Sequence, residues 1–451
     1  MKVRPRRVRL WLMAGVVIVL ALVLLGLFSV LRVSTSPVLR TVTVGQFPWL
    51  AVVDPAQGRL FVANTNDGTM SVLNVRTGRL LHTTSVGIQA GQHIWNMAAD
   101  APSGHVFVRT GDDVLTTLDA RSGAVVRTLS LQPCSQGLAA DTRLAHLFVG
   151  GCDHGIVQMI DARSGRLVAS INVGGQPKEL AVDEQTGRVF VLGGAPGAWN
   201  TISLLDAASG RVLRTFTLGA DLCLCITTPL PGGPVFVDDD QKSQLYVLDA
   251  TSGRLLRTVK IGMDIYDHAV DAHTGRVFLV GAPPGASSGV APYTGPGRLV
   301  VLDGRSGRVV RRLTLSAPPS AVALDARGQR LLLGLVGPTN ANTGQPAGVG
   351  SVEVRDAHSL RVLRAIPAGI VPWTIVVDTL SDHAFVVNAN IVPTGNNPSL
   401  YPQTSVMLPE EGWPATLRRL KRLAPWLPLH VSPPPGPSVN GSVTVLDLAR
   451  V

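Results

Sequence analysis

Acidic side chains are absent from the first 53 positions: Asp54 is the first carboxylate, and seven cations, Lys2, Arg4, Arg6, Arg7, Arg9, Arg32 and Arg40, precede it. They account for +7 of the formal charge of +10, and the small remainder, spread over the rest of the chain, is no nucleic-acid footprint. Catalytic and nucleotide motifs are missing too. There is no His-Glu-x-x-His, no P-loop and no EF-hand loop, and the ten histidines are scattered. "GASSG" from Gly285 carries the letters of a nucleophile elbow, but it sits in a Pro/Gly-rich stretch without the strand-turn-helix that would expose a serine. "DDD" at 238–240 reads more simply as a turn cap than as a Ca²⁺ site. What is abundant is turn chemistry: 47 Gly and 32 Pro beside 45% apolar residues describe a large all-β core with many turns.

The other feature of the amino end is an uncharged run, Leu10 to Leu31. As a helix rising ~1.5 Å per residue it would cross a ~30 Å hydrocarbon core. Five basic residues stand in front of it, no small-x-small cleavage pattern follows, and no lipobox cysteine is present. It reads as an uncleaved signal anchor, with a cleaved signal peptide as the alternative. Residues 1–9 are then cytoplasmic, 10–31 a transmembrane helix, 32–37 a linker, and 38–451 an extracytoplasmic domain of a single-pass cell-membrane protein.

That domain repeats one phrase. "LLDAASGRVLRTFTLG" from Leu204 returns as "VLDATSGRLLRTVKIG" from Val247, "MIDARSGRLVASINVG" from Met159, "TLDARSGAVVRTLSLQ" from Thr117 and "VLDGRSGRVVRRLTLS" from Val301, with weaker copies from Val72 and Val354. A second phrase precedes each, such as "LAVVDPAQGRLFVAN" from Leu50, and places Phe61, Phe107, Phe148, Phe190, Phe236, Phe278 and Phe385 in register. Short β-branched runs alternate with Asp-x-x-Ser/Thr-Gly turns, giving four strands per unit at a period in the forties, which is a propeller blade. Eight units are counted; a degenerate fifth unit leaves seven possible. The last phrase is split, with "SVTVLDLAR" (442–450) supplying one half and "VLRTVTVG" (38–45) the other, so pairing of the two ends closes the ring and hides both edges.

On these residues the chain from about 38 to 451 resembles the YVTN β-propeller repeat family, the YncE-like and surface-layer propellers, whose signature strand is matched by "FVAN" at 61 and "FVVN" at 385. The resemblance implies the fold. It implies little about activity, since propellers host many functions and members of this kind mostly lack an assigned reaction.

Strands of a blade run from the channel outward, so the Asp-x-x-Ser-Gly turns share one face, and Asp119, Asp161, Asp206, Asp249 and Asp303 read as turn acceptors. The opposite face carries long loops in blades six and seven and an insert in blade eight from 391 to about 441. Five residues before each repeat aspartate, a position expected near the channel mouth on that face, stand Trp49, Trp95, Gln136, Lys178, Leu224, Tyr266, Ser320 and Trp373. The three tryptophans fall on adjacent blades eight, one and two. They form either a shelf that stacks a ligand or a plug that packs under the insert. Asn96, Glu179, Asp267 and His268 lie beside them as polar candidates. Within the insert, Trp413 to Ala424 fits a basic amphipathic helix, read as a lid or docking helix or as plain packing. Cys134 and Cys152 are candidates for a disulfide on the loop face. The pair Cys223 and Cys225 is open to a strained bridge, free thiols or soft-metal ligation.

The leading expectation is a membrane-anchored propeller that binds an extracytoplasmic protein or small ligand, as a monomer, with no cofactor and no metal site. The competing expectation is a propeller enzyme of lactonase, lyase or quinoprotein-dehydrogenase type. That requires several carboxylates, Asn or His to converge at the channel mouth.

Overall fold

A computed structural model describes residues 36–87, 94–110, 113–132, 135–151, 155–195, 198–219, 226–227, 230–239, 242–286, 295–338, 348–389 and 440–451; for Trp95, Ser135, Gln136, Ala198 and Trp199 only the backbone is described. The anchor at 10–31, all four cysteines, Leu224 and nearly all of the blade-eight insert with its helix at 413–424 lie outside the described residues.

Eight four-stranded antiparallel sheets follow one another along the chain. With strands lettered a to d from the channel outward, blade one runs 48–85, blade two 94–130, blade three 135–172 and blade four 179–217; blade five runs 226–260, blade six 264–314 and blade seven 319–367. Blade eight is assembled from Pro372–Asp378, His383–Asn388, Asn440–Asp447 and, as its outermost strand, Val38–Gln46. The ring therefore closes as the split phrase requires, with Thr41 opposite Thr444 and Thr43 opposite Ser442, and the count is eight, not seven. Strand a of blade eight packs against strand a of blade one, completing the circle.

The core lies between blades. Alternation puts one face of each strand against the preceding blade and the other against the next. Leu60, Val62, Phe385 and Val445 share one cluster, and Phe61, Met70, Val106 and Leu118 the next. All seven register phenylalanines are essentially inaccessible, each worth ~1.5–3 kcal/mol of burial.

Two hydrogen-bond series fix the turn face. In the c–d turns, the Asp206 carboxylate accepts from the Ser209 N–H at 2.9 Å and from its hydroxyl at 2.7 Å, and the same pair recurs at Asp119, Asp161, Asp249 and Asp356. The serine hydroxyl, then the serine N–H, holds these carboxyls below the usual range. Their role is the structural one read from the sequence. A glycine at φ +67° ends the turn in blade five; blade seven places Leu360 there instead, at φ +62°, and buries its side chain in the core.

The second series joins neighbours. The first residue of strand b is a cation or imidazole that bonds a turn carbonyl of the next blade: Arg59 to Arg121, His105 to Ala162, His146 to Ala207, Arg188 to Thr251, Arg276 to Ala357, Arg330 to Leu448 and His383 to Val75. Blade five has Pro234 at this position, a residue without a donor side chain, and the described part of its inner strand is Ile226–Thr227.

Candidate functional site at the loop face

At five of the eight positions five before a repeat aspartate, the residue is the extra one of a β-bulge. Pairing between strands a and b slips by one residue at Trp49, Trp95, Tyr266, Ser320 and Trp373. A bulge breaks alternation and re-aims the side chain. Here it turns the residue into the wedge between two blades. Tyr266, Ser320, Trp373 and Lys178 are all buried, packed as in the plug alternative, whereas Trp49 stays partly exposed. Ser320 shows the geometry, its hydroxyl donating to Pro372 O of the next blade at 2.6 Å.

The structure does bring Trp49 and Trp373 together. Their ring centroids are 5.1 Å apart, edge to face, and Phe47, missed by the sequence reading, lies 5.3 Å from Trp49. Phe47 sits at φ +49°, a conformation that costs a non-glycine residue about 1 kcal/mol or more and clusters at functional positions. Val371, Ala389 and Ile370 complete the cluster. Trp49 keeps partial exposure, whereas Trp373 is buried, and its indole N–H meets no acceptor among the described residues. The insert leaves after Ala389 and returns at Asn440, so both its ends lie at this sector. Thr374 ties it to blade one, donating to Trp49 O at 2.8 Å. For Trp95 only the backbone is described, on blade two beside blade one.

The four polar candidates do not converge. Asn96, Glu179 and the pair Asp267–His268 lie on blades two, four and six. Asn96 caps its own strand, accepting from the Met97 N–H at 2.8 Å. Asp267 accepts from the His268 N–H and, across the blade boundary, from the Val322 N–H, both at 2.8 Å. It keeps partial exposure, yet burial raises its carboxyl to about 7 against the lowering effect of those two N–H groups. His268 points the opposite way, its Nε2 lying 3.1 Å from Thr227 Oγ of blade five, and burial lowers its pKa. Among the described residues no group of three or more His, Cys, Asp or Glu could hold a metal ion.

One polar feature escaped the sequence reading, and a second was read only in part. Arg109 is buried between blades two and three, where desolvation lowers its pKa to about 10 against the raising effect of Asp113. Comparing units would have found it, since six of the seven matching positions hold Ala63, Gly150, Leu192, Val280, Gly334 and Val387, and only blade five also carries a charge there, Asp238. In blade five, buried Asp239 accepts from the Tyr246 hydroxyl and the Gln244 amide, each at 3.1 Å, and from the Lys242 N–H. Asp239 thus caps its turn, as read from the sequence; Asp240 lies outside the described residues.

The fold and this sector define a class: a closed, eight-bladed β-propeller whose irregular chemistry gathers on one face. A family model described as outer membrane protein assembly factor BamB matches residues 42–198 and 153–336, together well over half of the chain. The chain belongs to that BamB/PQQ-like propeller family. No curated protein matches it. Solved structures match in large numbers, 1794 chains, a breadth that makes the fold uninformative about activity. One is the crystal structure of Chaetomium thermophilum Raptor, with TM-score 0.51 and 13% identity over 66% of this chain and 27% of Raptor. The likeness is of fold alone, and the match spans about a quarter of Raptor's length.

PQQ-like repeats raise the question of a quinone cofactor, whose carboxylates would ask for cations at the channel mouth. Of the side chains described there, Lys178 is cationic, Glu179 and Asp267 are acidic, and Asp267 already accepts two backbone N–H groups. This donor set does not fit an acidic quinone.

Proposed function

We infer that the chain is a BamB-type binding propeller built from YVTN-like repeats. Leu10–Leu31 anchors it in the cell membrane, and its loop face presents a protein-binding site on the extracytoplasmic side. The observation that carries this reading is the blade eight–one sector. Phe47, Trp49 and Trp373 form an aromatic cluster on a rigid scaffold. Phe47 and Trp49 keep partial exposure, and their rings offer a partner apolar area at little entropy cost. The polar residues that an enzyme would gather are instead dispersed over three non-adjacent blades, with Asn96 and Asp267 already accepting backbone N–H groups.

The test is photo-crosslinking in the native membrane from benzoylphenylalanine placed at Trp49, with the same probe at exposed Thr258 on the outer wall as control. Protein adducts at 49 and not at 258 are expected, and equal yields overturn the reading. A stoichiometric quinone or metal released from the purified chain on unfolding would replace it with an enzymatic one.

A further inference from the structure

The outermost strands carry a second bulge series. Register slips at Leu39, Leu81, Val126, Val168, Leu213, Leu256, Val310 and Leu363, the second residue of strand d in seven blades and the third in blade six. Bulging an edge strand is a known protection against edge-to-edge pairing, and it requires no particular side chain. Yet all eight positions hold Leu or Val, and seven of them stand 36–56% exposed; Leu213 is partly buried. Seven are followed directly by a basic or imidazole residue, namely Arg40, His82, Arg127, Arg214, Arg257, Arg311 and Arg364. The eight outermost strands contain no Asp or Glu. Several guanidiniums are held along the rim by turn carbonyls of the next blade, Arg311 to Ser359 O at 2.7 Å and Arg214 to Ser252 O at 3.3 Å.

This pattern lies beside the c–d turns, so it forms a circle around the turn-face rim. A protein partner would meet one sector of such a circle, whereas a plane meets all of it. Val38 begins the outermost strand of blade eight at the same end, opposite Leu446. The six residues 32–37 can extend only ~20 Å. The aspartates of the adjoining c–d turns are engaged by their own serine N–H groups, and apolar tips flanked by arginine match the boundary between anionic headgroups and acyl chains. We propose that the turn-face rim rests on the anionic surface of the membrane, leaving the loop face turned outward. This rests on the anchor of the preceding section.

The experiment uses the full chain in vesicles containing anionic lipid, with benzoylphenylalanine at Val126 or Leu256 on the rim, or at exposed Asn66 on the loop face, and lipid adducts read by mass spectrometry. Several-fold more lipid adduct at 126 and 256 than at 66, falling when the anionic lipid is replaced by a zwitterionic one, is the expected result. Equal yields at rim and loop face, or rim yields indifferent to headgroup charge, overturn the proposal. Carbonate extraction of the same vesicles reads the anchor separately. Release of the chain refutes the anchor, while retention without rim adducts refutes only the docking.

Discussion

Replacing Asp267 by Asn should alter how stability depends on pH more than stability itself. Burial holds this carboxyl at about 7 in the fold, against ~3.9 in an unfolded chain. Between those values the folded state keeps a proton that the unfolded chain has lost. The contribution therefore favours folding at low pH and drains away as pH rises towards 7, at ~1.4 kcal/mol per pH unit. From pH 5 to pH 7 this comes to roughly 2.5 kcal/mol, trimmed by solvent at its exposed surface. With an unfolding entropy of ~0.9 kcal/mol/K for a propeller of this size, the shift is up to ~3 °C in Tm. The carboxamide keeps one oxygen for one of the two N–H donors and turns its NH₂ against the other, a pH-independent loss of ~1–3 kcal/mol. Asp267→Asn should thus melt below wild type at pH 5, with the gap closing or reversing by pH 8. His268 titrates in both proteins and cancels in the comparison. Melting curves in detergent from pH 5 to 8 decide it: parallel profiles would refute a carboxyl raised by burial.

Other outcomes follow from the same geometry. Trp373→Ala should lower stability by ~3–5 kcal/mol, because it empties a buried site, whereas Trp49→Ala, partly exposed, should melt nearer wild type; equal melts would contradict the burial difference. Gly281→Ala should prevent normal folding of blade six, since the added Cβ would lie 1.8 Å from Asp264 O; a soluble variant with wild-type melting would show that the bulge relaxes. His146→Ala removes a side-chain bond to the Ala207 carbonyl at 3.1 Å and should cost ~1 kcal/mol, read as a small drop in Tm. Ser209→Ala should raise the Asp206 carboxyl toward its ordinary value, visible by NMR titration, because the serine hydroxyl is the largest cause of its lowering.

The fold was legible because its signals repeat. Asp-x-x-Ser-Gly turns and the phenylalanine register are local patterns that recur in nearly every unit, and the split phrase at 38–45 and 442–450 announced its own partner. Placement of the site was less legible. Counting back from the repeat aspartate found the right eight positions but assumed unbroken alternation. The bulges at Tyr266 and Trp373 are invisible to a period-two count, and they decide whether a ring faces the channel or fills a wedge. Phe47 lay two residues before a residue already singled out, but nothing in the sequence signals its left-handed backbone. Asp267 was picked as a polar group, whereas its bond to Val322, 55 positions away, depends on how one blade leans on the next.

The split eighth blade also sets the order of events during synthesis. Val38–Gln46 leaves the ribosome before any other strand of the ring, yet its partner Asn440–Asp447 is the last of the ring's strands to emerge. Until then the nascent chain is an open horseshoe with a bare strand at one end, so ring closure awaits that strand and joins distant parts of the sequence. A short carboxy-terminal truncation should therefore do far more harm than its length implies: it would remove a clasp and leave two unpaired edges exposed to neighbouring chains.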